Sequence, residues 1–357
     1  MFVNAELASL SDLSFRTAFV IYLVALVLSL IYYGRMQGVI DMRRVRDAQQ
    51  EEAENAEAKE LVHAGASSSS TGEADADAVD TADSDSDRGL VDEPFDEAEY
   101  GKRVAGARKF AGMTQAMVWF GIALHVVSFV TRGFATGRFP LGNMYEYILF
   151  MSAVVMIIAA VVAQTKGWHT MWPWVLTPMV ILMFFNSTVL YADAAPVVPA
   201  LQSYWLPIHV SSVSIGASIG IISGIFALLY LLRIWQPKGK EKGFFGALAK
   251  PLPSAKKLDS LTYKSAIITL PLLGIGILLG AIWAEAAWGR PWGWDPKETV
   301  SLITWILYAA YLHARATAGW KNYKSAWINV LAMLTSIFNL FFINMVVSGL
   351  HSYAGLN

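Results

Sequence analysis

The chain has 357 residues, a formal net charge of −1 and no cysteine. Hydrophobic residues make up 55% of the sequence and the mean hydropathy is +0.44, whereas soluble domains are about 45–50% apolar. The composition therefore excludes a soluble globular protein and predicts a polytopic membrane protein. The absence of cysteine excludes a disulfide framework, thiolate metal ligation and a thiol relay within this chain.

Eight apolar stretches, each long enough to cross a bilayer as a helix, follow one another along the chain. They cover residues 17–33, 111–130, 144–163, 171–190, 209–235, 265–285, 299–315 and 325–348. This pattern predicts an all-α, polytopic membrane helix bundle with about eight transmembrane helices. The first helix falls within residues 1–40, where no signal-peptide pattern is present. The other seven form a membrane domain at residues 111–357.

An acidic insert separates the first helix from that domain, within a linker at residues 41–110. Residues 47–99 hold 18 of the 28 acidic residues, are rich in Ala and Ser, and contain almost no aromatic residue. Such a segment cannot bury enough apolar surface to offset its chain entropy. We therefore expect a disordered cytoplasmic insert with a frayed helix in its Ala/Glu portion. A solvated linker is favoured over a functional acidic tail.

The distribution of Lys and Arg predicts the orientation, because basic residues are retained on the cytoplasmic side of short loops. If the N-terminus lies outside, the inner segments contain the basic clusters at residues 35–46, 102–109, 233–264 and 315–324. The outer segments then contain only Arg16, Arg132, Arg138, Arg290 and Lys297. We expect a multi-pass protein of the plasma membrane with both termini external and the acidic insert cytoplasmic.

A tryptophan-rich loop, residues 286–298, lies between the sixth and seventh spans and reads W-G-R-P-W-G-W-D-P-K-E from residue 288. Indole rings are common anchors at the bilayer interface, which accounts for one or two of them. Trp288, Trp292 and Trp294, set on Gly and Pro kinks, would instead build a rigid, flat aromatic surface able to stack on a large planar ligand. The predicted orientation places this loop outside.

Two histidines fall at the same membrane face as the tryptophan-rich loop. His209 begins the fifth span, and His351 follows the eighth. Imidazole is a strong iron ligand, and two imidazoles on opposite sides of an aromatic plate suit axial ligation of a haem iron. The alternative is that each is an interfacial histidine bonded to a loop carbonyl. Their coincidence with the tryptophan-rich loop favours haem ligation.

Two further histidines lie inside predicted spans, where an ionisable residue is a functional candidate. At about 1.5 Å per residue, His313 lies roughly 20 Å below the outer surface, in the inner half of the membrane. His125 lies in the outer half, and the depths of the two histidines differ by about 10 Å. One iron cannot use both, so haem bound by His313 would take its second ligand from another chain. For His125, haem binding and a structural hydrogen bond both remain open.

Two charged residues complete the candidate site at the outer face. Arg138 could form bidentate bonds to a haem propionate, or it could pair with Glu146 within the protein. Asp295 precedes a proline and can cap the seventh helix. We expect Asp295, Lys297 and Glu298 to shape the loop rather than to act in acid–base catalysis. The sequence has no Walker motif, nucleophile elbow or nucleotide-binding glycine loop, which disfavours hydrolysis and ATP-driven transport.

These motifs resemble the CcsA (ResC) family of cytochrome c biogenesis proteins, in the haem-handling superfamily defined by a W-G-x-x-W-x-W-D motif. The residues that fill this motif are Trp288, Gly289, Trp292, Trp294 and Asp295. The segment F-P-L-G-N-M-Y-E at residues 139–146 resembles a second signature of the family. The related CcmC and CcmF proteins share the tryptophan motif but differ in span number, and eight spans favour CcsA.

The resemblance also assigns the histidines and extends over most of the chain. The family's two external histidines fall on His209 and His351, and its transmembrane histidine falls on His313. The resemblance runs from about residue 111 to the C-terminus. The first span and the acidic insert resemble the actinobacterial members of this same CcsA family. Those members carry the name CcsB, which is used below only for the ResB-type partner.

The resemblance implies an enzyme, a haem lyase subunit of system II cytochrome c maturation that acts in a complex with a CcsB (ResB) membrane partner. It would carry haem b, its substrate, outward and present it beneath the tryptophan-rich loop. The haem vinyl groups would form thioethers with the two reduced thiols of an apocytochrome c C-x-x-C-H motif. The partner would supply the second ligand at the His313 site. Thiol-reducing thioredoxin-like proteins would be involved indirectly, and nucleic acid would not.

Two other functions remain open from the sequence. A haem exporter without ligase activity would use the same ligands as a haem lyase. A membrane b-type cytochrome in electron transfer would usually place histidine pairs within helices at matched depth, and the predicted spans lack such a pair. Covalent haem on a co-expressed apocytochrome c would discriminate the three.

Overall fold

The computed structural model describes residues 3–66, 95–197, 201–317, 320 and 323–351, and these contain helices but no strand. The helices are α1 (Ala5–Ala66), α2 (Glu97–Thr136), α3 (Met144–Lys166), α4 (Trp172–Thr188), α5 (Trp205–Trp235), α6 (Gly243–Ala249), α7 (Ala255–Trp288), α8 (Pro296–Ala316) and α9 (Tyr323–Phe338). A 3₁₀ turn (His169–Met171) precedes α4, and a π-helical turn (Asn339–Ile343) extends α9. The prediction of an all-α protein is confirmed.

Six of the described helices are long and apolar enough to cross a membrane: α1, α2, α3, α5, α7 and α9 with its π-helical extension. The other two predicted spans correspond to α4 and α8. Helix α4 has 17 residues, fewer than the roughly 20 that a perpendicular crossing needs, and α8 carries charged residues at both ends. A polytopic membrane helix bundle is confirmed, and the count of eight crossings stays a prediction.

Several helices extend well beyond the apolar stretches that predicted them. Helix α1 continues into the acidic insert as far as Ala66, and α2 begins at Glu97, because Ala, Glu, Arg and Lys are strong helix formers whatever their hydropathy. The described linker residues 41–66 and 97–110 are therefore helical. A helix was expected in the Ala/Glu portion of the insert, whereas the helix at residues 97–110 was not. Residues 67–94 of the insert lie outside the described residues.

The chain divides into two compact units, one formed by Ile31–Phe110 and the other by Met1–Leu30 with Ala111–Asn357. In the first unit, α1 and α2 pack through arginine–aromatic contacts. The Arg35 guanidinium lies 4.6 Å from the centre of the Phe110 ring, and that of Arg46 lies 5.0 Å from the centre of the Tyr100 ring. The few aromatic residues near the insert are thus used to join its two flanking helices.

Helix α5 is central to the larger unit and packs most extensively against α7, then against α9. Two glycines make these close approaches possible. A Cβ atom at Gly216 would lie 2.8 Å from the Leu273 backbone nitrogen of α7, and one at Gly220 would lie 2.6 Å from the Tyr308 hydroxyl of α8. Small residues at helix interfaces are common in membrane bundles. The close packing fixes α5 against α7, and the Tyr308 side chain of α8 reaches α5 at Gly220. Helices α7 and α8 carry most of the candidate site.

Polar contacts join the start of α1 to the ends of α2 and α4 at one end of the larger unit. The Asn4 backbone N–H donates to the Ala135 carbonyl near the end of α2, at 2.9 Å. The Tyr191 hydroxyl, just after α4, donates to Asp12 of α1 at 2.7 Å. The start of α1 therefore lies beside the ends of α2 and α4, as alternating up-and-down helices require.

Candidate functional site

His209 lies in the first turns of α5 with its imidazole held against α7. Its Nδ1 atom is 2.8 Å from the Gly276 carbonyl oxygen. A carbonyl only accepts hydrogen bonds, so Nδ1 carries the proton and Nε2 keeps a free lone pair. The ring lies against Gly280, where an added Cβ would be 2.6 Å from the His209 Cε1 atom. Glycine at this position therefore makes room for the imidazole.

His351 follows the π-helical turn and is held by Asp295 at the start of α8. Its Nδ1 atom is 2.8 Å from Asp295 Oδ2, and the other carboxylate oxygen accepts the Leu350 backbone N–H at 2.8 Å. Burial raises the pKa of the Asp295 carboxyl, whereas the hydrogen bonds from His351 and Leu350 lower it. Together the lowering effects exceed the effect of burial, so the net shift of the pKa is downward. The carboxylate thus stays ionised and orients His351 with Nε2 free, as carboxylate–histidine pairs do at metal sites.

The two imidazoles line one cleft and both contact Trp283 of α7. The centre of the Trp283 ring system is 6.0 Å from that of His209 and 6.1 Å from that of His351. Trp283 is 2% exposed, and its indole N–H has no acceptor among the described residues. Residues 141–144, which lead into α3, also line this cleft. The structure therefore brings His209 and His351 together, which the sequence predicted from their shared membrane face.

The three tryptophans of the loop do not form one flat surface. The Trp292 and Trp294 rings are 5.6 Å apart and nearly perpendicular, at 88°. Trp294 has a positive φ of 57° and is 68% exposed, so it turns away from the buried part of the site. Trp288 ends α7 and packs edge-on against His351, with the ring centres 5.0 Å apart. The expectation of a flat platform was wrong, because the loop bends between successive rings.

Glu298 fixes the bend of the tryptophan-rich loop. One of its carboxylate oxygens accepts the backbone N–H groups of Gly293 and Asp295, at 2.9 and 3.1 Å. Trp292, between these contacts and α7, lines a second cleft that shares His209 and His351 with the first. Two hydrogen bonds from its backbone thus hold the loop to Glu298, and Trp292 is the tryptophan of the loop that lines a cleft with both histidines.

Arg138 is occupied by an ion pair within the protein. Its guanidinium donates two hydrogen bonds to Glu146, at 2.7 and 3.1 Å, and a third to the Ala195 carbonyl at 2.9 Å. Glu146 is fully buried and also accepts from Arg132 at 3.2 Å. Of the two alternatives for Arg138, the structure shows the pair with Glu146. Its assignment to a haem propionate is corrected accordingly.

Replacing Glu146 by Gln is expected to destabilise the protein strongly. The change leaves the guanidinium groups of Arg132 and Arg138 without their shared carboxylate, and breaking a buried pair from one side costs about 3–5 kcal/mol. Thermal unfolding in detergent should show a markedly lower midpoint. The exposed carboxylate of Glu285 supplies a control, since Glu285→Gln should leave the midpoint unchanged. Equal midpoints for the two variants would contradict the predicted effect.

His125 lies away from the histidine cleft, in the interior of the larger unit. It is fully buried, its Nε2 atom is 3.2 Å from the Ser152 hydroxyl, and the rings of Phe15 and Tyr22 pack against it at 5.8 and 6.0 Å. It lines none of the clefts that contain His209 and His351. This packing favours the structural alternative for His125 over haem binding.

His313 lies near the end of α8 and is exposed on the surface of the larger unit. Ile306, seven residues earlier and therefore on the same helix face, is 50% exposed. No group of three His, Cys, Asp or Glu that could hold a metal ion occurs among the described residues. His313 lines neither of the clefts that contain His209 and His351.

Comparisons with known proteins agree on one family. The family model described as "Cytochrome C assembly protein" matches residues 141–351. "Cytochrome c biogenesis protein CcsA" of Guillardia theta is 37% identical over 242 residues, which cover 64% of this chain and 80% of the relative. The proteins of that name from Chlamydomonas reinhardtii and Porphyra purpurea are 34% and 32% identical, over 70% and 71% of this chain and 70% and 90% of the relatives.

The chain belongs to the CcsA-type cytochrome c biogenesis family. Its role is therefore in cytochrome c maturation, and membership implies haem handling. The matched range contains His209, His313, His351 and the tryptophan-rich loop, whereas His125 and Arg138 precede it. His125 and Arg138 line neither histidine cleft, and they are also the two site candidates outside the family match.

Lys297 is a residue of this CcsA-type site whose position the sequence did not predict. It is the second residue of α8 and lines both clefts that contain His209 and His351. Its ammonium donates to the Asn344 side-chain oxygen at the end of the π-helical turn. Sequence reasoning assigned Lys297 to the shape of the loop. A charged side chain in the first turn after a motif of three tryptophans was the available signal.

Proposed function

We propose that this protein is the haem-handling subunit of a cytochrome c haem lyase, with haem as its substrate. The observation that carries the proposal is the pair formed by His209 and His351. Each has its Nδ1 atom tied to a protein acceptor, which leaves two Nε2 lone pairs on one cleft. Two neutral imidazoles are a sufficient ligand set for a haem iron. Trp283 and Trp292 supply aromatic surface beside the two histidines, which suits a large planar substrate.

The chain's own residues would act by binding and positioning. Thioether formation adds a thiol across a vinyl group: the sulfur bonds to one vinyl carbon, and the thiol proton ends on the other carbon, so atoms and electrons balance without an added oxidant. Among the described residues of the cleft we find no group placed as a dedicated general acid or base. Catalysis would therefore come from holding the haem edge for the two thiols and from control of the iron by its ligands.

Partners and orientation belong to the same proposal. The basic clusters support an orientation in which the tryptophan-rich loop and both termini are external at the plasma membrane. Apocytochrome c would then meet the site at that face. The chain has no cysteine, so the thiols must come from the apocytochrome, and thioredoxin-like proteins would keep them reduced. A CcsB-type membrane partner would complete the complex.

Co-expression tests the lyase proposal directly. The protein, a CcsB-type partner and a C-x-x-C-H apocytochrome c are expressed in a host without its own cytochrome c maturation, and covalent haem is measured on denaturing gels. We expect covalent haem that disappears when the two apocytochrome cysteines are changed to Ser. Bound haem without any covalent product would reject the lyase and favour an exporter or a b-type cytochrome. The latter is already disfavoured, because His125 and His313 form no pair in the structure.

His313 should be needed for delivery of haem to the cleft. Its outward position on α8 suits a second ligand supplied by the partner. An ionisable side chain on a membrane-spanning surface is energetically costly, which points to a functional role. His313→Ala is therefore expected to lower haem content in the purified complex severalfold, including haem bound by His209 and His351. The measurement is haem per protein by absorbance. Full occupancy in this variant would remove His313 from the delivery path.

A further inference from the structure

We propose that Lys297 is the residue that binds a carboxylate of the tetrapyrrole substrate, as a propionate-binding and positioning group. This inference rests on the proposed haem site and adds a second point of attachment to it. The two imidazoles would fix the iron, but they leave the ring free to rotate about the axis that joins them. A charged contact at the ring edge would stop that rotation and select which edge faces the apocytochrome thiols.

Lys297 lines three neighbouring cavities of the larger unit. It lines the cleft between His209 and Trp283, the second cleft under Trp292, and a third cavity that continues between α5 and α8. Pro296 occupies the first helical position, where its fixed φ suits the start of a helix, and Asp295 before it is held by His351 and Leu350. The lysine therefore extends from a rigid helix start.

The ammonium of Lys297 is held in place but is not neutralised by an ion pair. Asn344, 3% exposed, accepts a hydrogen bond from it, and the Asn344 amide donates to the Leu340 carbonyl, which fixes the amide orientation. No carboxylate oxygen of the described residues lies within 4.0 Å of the Lys297 nitrogen. An ammonium has three donor hydrogens, so two are left for a ligand.

The carboxylates near Lys297 are already committed to other donors. Asp295 accepts from His351 and Leu350, and Glu298 accepts from the backbone of the tryptophan-rich loop. Withdrawing a charge from water without a counter-charge is costly, and an incoming carboxylate at Lys297 would remove that cost. Arg138 and Arg290 cannot serve in the same way without giving up Glu146 and Glu298.

Comparison of haem with its dimethyl ester tests the proposal. Esterification removes both carboxylate charges and leaves the iron and the ring unchanged. Each compound is titrated into the purified protein in lipid nanodiscs, and its Kd is read from the Soret band. We expect the native protein to prefer the free acid by about tenfold, which corresponds to about 1.4 kcal/mol. In Lys297→Met the two Kd values should become nearly equal, and Lys297→Arg should restore the preference.

The controls separate this proposal from the haem site itself. Lys264, exposed near the other end of α7, is changed to Met and should leave the preference unchanged. Binding of the dimethyl ester with a bis-histidine spectrum shows that Lys297→Met still folds. Equal binding of both compounds by the native protein, or an unchanged preference in Lys297→Met, would overturn the role of Lys297. Neither result would contradict the proposed haem site at His209 and His351. Failure to bind either compound would overturn both.

Discussion

Replacing His209 or His351 by Ala is expected to leave haem five-coordinate or unbound and to stop covalent attachment. Each imidazole supplies one of the two Nε2 lone pairs on the cleft, and no other histidine contacts the cleft in the described part of the chain. The loss of affinity should exceed the roughly 10–100-fold that follows from losing a supporting partner of a ligand. Absorbance spectra should change from low-spin to high-spin character.

Rescue by a small ligand distinguishes loss of a ligand from misfolding. Either substitution leaves a space the size of the lost ring, so added imidazole should enter it and restore the six-coordinate spectrum and part of the covalent product. His169→Ala, in the 3₁₀ turn before α4, serves as the matched control and should behave as the native protein. Unchanged bis-histidine spectra with full cytochrome c assembly in both single variants would reject the ligand assignment.

Asp295→Asn is expected to have the second largest effect, although Asp295 would not touch the iron. Its carboxylate accepts from both His351 Nδ1 and the Leu350 N–H, whereas an amide has only one oxygen and would direct its NH₂ group at the other donor. The His351 imidazole would donate its Nε2 electron pair to iron more weakly, and its ring would be less firmly oriented. We expect haem affinity to fall by about 10–100-fold and the midpoint potential of bound haem to rise.

The position of Asp295 also provides a control for charge. Asp193 is an exposed carboxylate in the loop after α4, and Asp193→Asn removes the same charge without touching His351. That variant should keep the native affinity and potential. If Asp295→Asn kept them too, with a normal spectrum, the hydrogen bond to His351 would have no role in tuning the site.

Much of the site's layout could be predicted from sequence because membrane topology constrains it. Once spans alternate in direction, His209 at the start of one helix and His351 after another must reach the same face as the tryptophan-rich loop. The helix count and bounds were less predictable. Hydropathy reports what lies in the bilayer, whereas α1 continues to Ala66 because its polar residues are themselves strong helix formers.

Side-chain partners could not be predicted, since they depend on packing between distant segments. From its chemistry, Arg138 could pair with either a haem propionate or Glu146. Only the fold shows that Glu146 is buried beside it. The perpendicular rings of Trp292 and Trp294 follow from a positive φ at Trp294, which is rare for a bulky residue. The exposure of Lys297 to the cleft depends on where the π-helical turn places Asn344.

His351 lies at the end of a short stretch of chain that follows the π-helical turn. Val346 and Leu350 are 60% and 41% exposed, and Asp295 makes the two hydrogen bonds that anchor His351 and its neighbour. Detachment of this stretch would remove one imidazole from the cleft without moving any bilayer-spanning helix. Under the proposed function, local opening of this stretch would withdraw one of the two haem ligands and so begin release of the product.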